Sequence, residues 1–156
     1  MKIATLAIVT RGDQVLLGLK KGNPKIGKDT LNGPGGHLKS WETILLCLLR
    51  ETWEEVRIVI NPFKVEKVAI ITFYAGGMSD FEVHAYRTSS FIGKPRETKS
   101  MVPDWYDIEK LPVDRMLESD RAWFPKLVHG ETFRANVYYR ERAKGFLGIK
   151  FFPFTD

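Results

Sequence analysis

At 156 residues the chain is close to the roughly 150 expected of one domain, so a single domain over residues 1–156 is expected. An apolar share of 44% supports a packed core and excludes a disordered chain. A net charge of +5, from 24 Lys and Arg against 19 Asp and Glu, favours an anionic partner without choosing among nucleotide, nucleic acid, phosphate and acidic lipid. The one cysteine, Cys47, excludes an internal disulfide and a zinc site built on cysteine pairs. The longest apolar run, residues 44–49, is six residues, against about 20 for a membrane span, so the expectation is a cytoplasmic protein with no membrane helix.

Residues 2–10 and 14–20 are apolar and rich in β-branched side chains on either side of Arg11-Gly12-Asp13, and predict a hairpin. Residues 21–31 predict a long polar loop, a feature that is often functional in compact domains. Ser40 is a good N-cap and Glu42 follows it, which predicts a helix over 41–56 with an acid in its first turn. Residues 65–74 and 81–86 predict a second hairpin joined through 75–80, and residues 101–108 another strand. A short helix over 119–128 is expected, capped by Ser119 or Asp120, disturbed by Pro125 and ended at Gly130. Two late strands, 133–139 and 146–152, complete an α+β arrangement in which helices pack on the faces of a sheet.

The long helix carries Arg50-Glu51-Thr52-Trp53-Glu54-Glu55. With about 100° per residue, Glu54 and Glu55 stand at about −60° and +40° from Glu51, so the carboxylates share one face. They lie near the helix C-terminus, where each acid opposes the dipole by about 0.3–1 kcal/mol, and they repel one another. Arg50 balances one charge of the three. A solvated acidic face is one reading of such a cluster. A hard divalent cation is the other, since Mg²⁺ binds oxygen ligands and bridges carboxylates to substrate phosphates. Upstream, Gly35-Gly36 allows a backbone approach that side chains would block.

Together these residues resemble the Nudix box, G-x5-E-x7-R-E-U-x-E-E-x-G-U with U apolar. Gly36 begins it, and Glu42, Arg50, Glu51, Glu54 and Glu55 fall in register. Thr52 replaces an apolar residue, and Arg57 replaces the final glycine, which implies about 1 kcal/mol of strain or a different helix exit. The stretches 15–21, 31–36, 103–106 and 120–125, with the late segment 133–141, look like those of the branch that hydrolyses oxidised purine nucleoside triphosphates. The fold so implied is an α/β/α sandwich with a mixed β-sheet.

The resemblance implies that the Gly35 carbonyl and the carboxylates of Glu51, Glu54 and Glu55 hold Mg²⁺ or Mn²⁺, that Arg50 orients a glutamate, and that Glu42 braces the loop against the helix. The reaction implied is attack of water on a phosphorus of a nucleoside di- or triphosphate, for example 8-oxo-dGTP, releasing nucleoside monophosphate and pyrophosphate or phosphate in sanitation of the nucleotide pool. Glu54 or Glu55 serves as base. Many relatives carry a further glutamate on a later loop, where this chain has Ser100, with Glu97 three residues away. Asn32 and Asp120 match positions that hydrogen-bond a purine edge, and amide plus carboxylate suits a guanine-like pattern. A turn residue and a helix cap are their plainer readings. Leu117 stands where that branch has a stacking aromatic and Ser119 where it has a second acid, leaving Trp123 and Phe73 to line the pocket. Lys20 matches a phosphate-facing position, and Lys21, Lys25 and Lys28 add charge in the loop. The apolar run around Cys47 fits a helix buried between layers or a homodimer contact. His37, His84 and His129 show no zinc spacing.

The same box serves enzymes for other diphosphates, such as ADP-ribose, a dinucleotide or a capped RNA end, and a non-catalytic nucleotide-binding module is a third possibility. A nucleic-acid-binding domain is disfavoured, since the chain has no helix-turn-helix, RNA-recognition aromatic pair or zinc-finger spacing and its lysines cluster in one loop.

Overall fold

The first strand, β1 (Lys2–Arg11), has two buried faces. Leu6 and Ile8 pack into one apolar cluster and Ala7 and Val9 into another, the period-2 pattern of a strand covered on both sides. The computed structural model describes residues 1–22 and 28–156. Lys25, counted above among the loop lysines, lies outside the described residues.

After β1 come β2 (Gln14–Lys20), β3 (Leu31–Asn32), β4 (Gly35–His37) and the long helix α1 (Ile44–Val56). There follow β5 (Val59–Ile60), β6 (Glu66–Ala75), β7 (Met78–Thr88), β8 (Phe91–Ile92) and β9 (Met101–Asp107). The chain ends in α2 (Asp120–Val128), β10 (Phe133–Glu141) and β11 (Lys144–Phe152). The main sheet runs β11-β10-β6-β7-β1-β2-β3, with β4 also on β1 and β9 also on β2. It is mixed: β1 pairs β7 and β10 pairs β6 in parallel, and the other ladders are antiparallel. A core of Trp123, Phe124, Leu127, Ile71 and Val137 lies on the α2 side. Leu48, Val56, Ile58 and Met101 fill the α1 side.

Both expected hairpins form, with differences that have physical causes. β6 and β7 extend to Ala75 and Met78, because Gly76 and Gly77, at φ 61° and 82°, make a tight two-residue turn where a six-residue connection was expected. The last two strands likewise reach Glu141 and Lys144 around Arg142-Ala143. The short strands β3, β4, β5 and β8 were not anticipated.

The helix α1 starts at Ile44, not Trp41. Thr43 is its N-cap, accepting from the Leu46 N–H at 3.2 Å, so Ser40 is not the cap and no acid stands in the first turn. Thr52 is fully buried, and its hydroxyl donates to the Leu48 carbonyl at 2.7 Å, which is how a polar residue occupies an apolar position of the box. Arg57 ends the helix in the left-handed region at φ 64°. Its N–H bonds the Trp53 carbonyl at 3.0 Å, and its guanidinium lies over the Trp53 ring at 5.2 Å. Cys47 is buried, with its sulfur 3.5 Å from the Thr5 hydroxyl, and burial pushes its thiol up to about 11. α2 runs from Asp120 through Pro125, and the Ser119 side chain makes no capping bond.

Candidate active site

The strand β4 and the helix α1 meet at Arg50, which gathers the acidic side chains of the box. Its Nε and Nη2 donate to the two oxygens of Glu42 at 2.9 and 2.6 Å. Its Nη1 donates to Glu51 at 2.7 Å and to Glu54 at 3.2 Å, and Nη2 also reaches the His37 carbonyl at 3.1 Å. The planar guanidinium thus ties the segment before the helix, β4 and the helix face together in one fixed fork. Glu42, buried, also accepts the Lys39 N–H at 2.9 Å, and the Arg50 bonds hold its carboxyl down at about 2.

Glu55 faces the glycine strand directly. It accepts the Gly35 N–H at 2.7 Å, yet burial pushes it up to about 7, against that bond and the nearby Lys20 charge. Burial also raises Glu51 above the usual carboxylate range, with Arg50 acting in the opposite direction. A β-carbon on Gly36 would overlap the Glu51 carboxylate, and one on Gly35 would overlap the Thr5 carbonyl. Only glycines let β4 lie this close to both β1 and the acidic face.

A cavity of about 560 Å³ opens beside this junction, lined there by Lys20, Gly35, Gly36, Glu51 and Glu55. Asn32, Leu117, Asp120 and Trp123 form another part of its wall, and Phe73 with Phe81 a third. The two Phe rings stack, 4.5 Å apart and 9° from parallel. Asp120 is buried, and that burial pushes its carboxyl up to about 7 against the Ser119 hydroxyl, which donates to it at 3.3 Å, and the Lys20 charge. The indole N–H of Trp123 is a buried donor near the Asp120 carboxyl, which it helps to hold down, and it makes no well-formed hydrogen bond among the described residues. The Asn32 side-chain oxygen accepts the Gly33 N–H at 2.8 Å, which turns its NH₂ group away from that bond. The pocket thus combines a planar apolar wall, buried polar groups and a nearby oxygen-rich face.

Known proteins share this combination of fold and spacing. The NUDIX domain model matches residues 1–127. The chain belongs to the Nudix family. A zebrafish (Danio rerio) relative named oxidized purine nucleoside triphosphate hydrolase is 35% identical over 133 residues, 85% of this chain and 83% of that one. The crystal structure of a MutT protein from Bacillus halodurans superposes with a TM-score of 0.82 at 21% identity, over 99% of this chain and 100% of that one. A bifunctional Francisella tularensis NMN adenylyltransferase/ADP ribose pyrophosphatase, solved with AMP and a Mn ion, has a TM-score of 0.64 at 22% identity, over 82% of this chain and 41% of that one.

Within the Nudix motif, the structure brings Gly35, Gly36, Glu42, Arg50, Glu51 and Glu55 together and leaves Glu54 half exposed, outside the cavity lining. No three acidic or histidine side chains converge into a closed cation site among the described residues. Glu51 and Glu54 have their oxygens turned to Arg50 instead. The donor set still fits a hard divalent ion. It consists of oxygens alone, and among the described residues one arginine, Arg50, is bonded to three box carboxylates.

Lys20, Asn32, Phe73, Leu117, Asp120 and Trp123 all line the cavity. Asp120 does not act as the helix cap that was its plainer reading, whereas Asn32 does bond its own turn. Glu97 pairs with Lys21 at 2.6 Å and does not line the cavity. Its neighbours explain this: the Arg96 N–H bonds the Val56 carbonyl and the Thr98 hydroxyl bonds the Glu55 carbonyl, which fastens the loop to the helix end. Lys28 is exposed and Ser100 receives Lys21 through its backbone carbonyl. Phe81, Asp80 and Arg142 also line the cavity and were missed by sequence reasoning. No helix of the described residues is long and apolar enough to cross a membrane.

Proposed function

We propose that this chain is a divalent-cation-dependent pyrophosphohydrolase of nucleoside triphosphates, with oxidised purine forms such as 8-oxo-dGTP as the preferred class, acting in the cytoplasm to clear the nucleotide pool. The observation that carries this reading is one cavity lined by both the Glu51 and Glu55 face and the buried Asp120 and Trp123 with the half-buried Asn32. A nucleotide has a polyanionic end and a planar polar end, and this cavity has a partner for each. The zebrafish relative's name supports the choice of oxidised purines.

The Gly35 carbonyl with Glu51, Glu54 and Glu55 would hold Mg²⁺ or Mn²⁺. When bound, the cation neutralises phosphoryl oxygens and makes water a better nucleophile near neutral pH. Arg50 keeps Glu51 and Glu54 on the face where they are needed, and Glu42 fixes Arg50. Of the two candidates for the base, position favours Glu55, because it lines the cavity and Glu54 does not. Lys20, also in the lining, brings positive charge to the triphosphate. Asp120 holds a proton more readily than a free carboxyl does and so can donate as well as accept at the base edge. The Trp123 N–H and the Asn32 NH₂ supply further donors, and Phe73 offers an apolar face for the ring.

The test is a kinetic panel of normal and oxidised nucleoside triphosphates, ADP-ribose and dinucleotides with Mg²⁺ and identified products. Monophosphate and pyrophosphate from an oxidised purine triphosphate is the expected result. Exclusive turnover of ADP-ribose or dinucleotides overturns the substrate assignment, and nucleotide binding without any turnover overturns the enzyme.

A further inference from the structure

Asp80 and Arg142 lie 62 residues apart in sequence and meet across the outer rim of the cavity. Asp80 belongs to β7, just past the Gly76-Gly77 turn, and Arg142 to the turn between β10 and β11. The contact is bidentate. Arg142 Nε donates to one oxygen at 2.7 Å, and Nη2 donates to the other. Isolated surface ion pairs contribute little, but a two-point guanidinium–carboxylate fork with one partner mostly buried is the exception. The Asp80 side chain is 15% exposed, that of Arg142 42%.

Two backbone irregularities place this pair where it is. Phe73 is opposite Phe81, but Tyr74 is opposite Ser79, so Asp80 is the extra residue of a β-bulge. In a regular strand Asp80 and Phe81 would point to opposite faces, whereas here both line the cavity. On the partner turn, Ala143 has φ 57°, a left-handed conformation that is unfavourable for a residue with a side chain. Such strain persists where surrounding contacts over-determine it.

We propose that Asp80 and Arg142 are positioning residues that clamp the Phe81 ring against Phe73 and thereby set the affinity of the pocket for the planar base of its nucleotide. This rests on the nucleotide reading given above. The chain has Leu117, which cannot stack, at one wall, and the parallel Phe73–Phe81 pair is a flat aromatic face in the same lining. Phe73 is anchored in the buried core, whereas Phe81 is the partly buried member, with His37 edge-on at 6.4 Å and Asp80 beside it in the chain. Neither Asp80 nor Arg142 belongs to the acidic face of α1, so their loss changes binding and leaves the chemical step intact.

The experiment compares full-length wild type, Asp80→Asn, Arg142→Gln, Arg142→Lys, Phe81→Ala and the double variant Asp80→Asn/Phe81→Ala. It measures kcat and KM for the best triphosphate, calorimetric affinity for the product monophosphate, and the thermal midpoint. Expected are a KM raised about fivefold in Asp80→Asn and Arg142→Gln with kcat within about twofold, and an intermediate KM in Arg142→Lys. The double variant is expected to match Phe81→Ala, because the clamp acts through that ring. Unchanged KM and affinity in both single variants overturn the clamp while leaving the nucleotide reading in place. Additive effects in the double variant, or kcat falling together with the thermal midpoint in every variant, also overturn it. A wild type that neither binds nor hydrolyses any nucleotide overturns the function and the clamp together.

Discussion

Glu42 and Arg50 form a two-point ion pair at 2.9 and 2.6 Å that joins the segment ahead of α1 to the second turn of that helix. Both oxygens of a buried carboxylate are thereby satisfied, and Arg50 is left with Nη1 for Glu51 and Glu54. Replacing Glu42 by Gln removes the one fully buried carboxylate of the three paired with the partly exposed Arg50 and should cost about 1–3 kcal/mol at pH 7. The Glu42 carboxyl is held below its ordinary value, so its contribution is present above about pH 4.5 and is lost as the pH falls toward about 2. Urea unfolding should therefore show a gap between wild type and Glu42→Gln that narrows on acidification. A gap independent of pH would show that the pair is not its source.

Gly36→Ala tests how close β4 must lie to the acidic face. The added methyl group occupies the space of the Glu51 carboxylate, and the flexible glutamate is the part that gives way. We expect a folded protein whose turnover falls by about 10- to 100-fold, as when the support of a metal ligand is lost. Circular dichroism and kinetics together check this, and undiminished kcat would mean that Glu51 has no part in the reaction.

Asp120→Asn separates recognition from stability. The folded protein raises this carboxyl to about 7 through burial, so stability that is full below about pH 4 is lost as the pH rises to about 7. The amide does not ionise, so Asp120→Asn should be more stable than wild type at pH 8 by about 1–3 kcal/mol, with the two converging near pH 4. Nucleotide affinity should nonetheless fall, because the amide cannot copy the pairing of a carboxyl group. Equal stability of the two proteins at pH 8 would contradict the burial account.

Chelation followed by add-back tests the cation. Turnover should vanish with EDTA and return with Mg²⁺ or Mn²⁺, and Glu51→Gln and Glu55→Gln should each lower the restored rate by at least about 100-fold. Full activity in EDTA would remove the cation from the mechanism.

The acidic face was legible in the sequence because its geometry is local: residues three and four apart on a helix are neighbours wherever the helix is placed. The helix start was not, since Ser40 and Thr43 are both good caps and the choice falls to Thr43 once Glu42 is drawn back to Arg50. Asn32, Asp120 and Trp123 were located through family resemblance, and their spacing alone would not have joined them. Phe81 escaped because a one-residue bulge at Asp80 breaks the alternation on which strand faces are read. The partner of Asp80 escaped for a different reason, since a contact between a strand residue and a distant hairpin turn leaves no periodic trace.

The burial of Cys47 has a consequence for the conditions in which the protein works. Its sulfur is fully shielded, and its thiol is raised to about 11, so almost none of it exists as the thiolate that peroxides attack. It lies one helical turn before Arg50 and Glu51, where a bulky oxidised sulfur would disturb the packing of β4 against the helix. The hydrolase of oxidised nucleotides proposed above would be needed most under oxidative stress, and its one thiol is shielded from that stress.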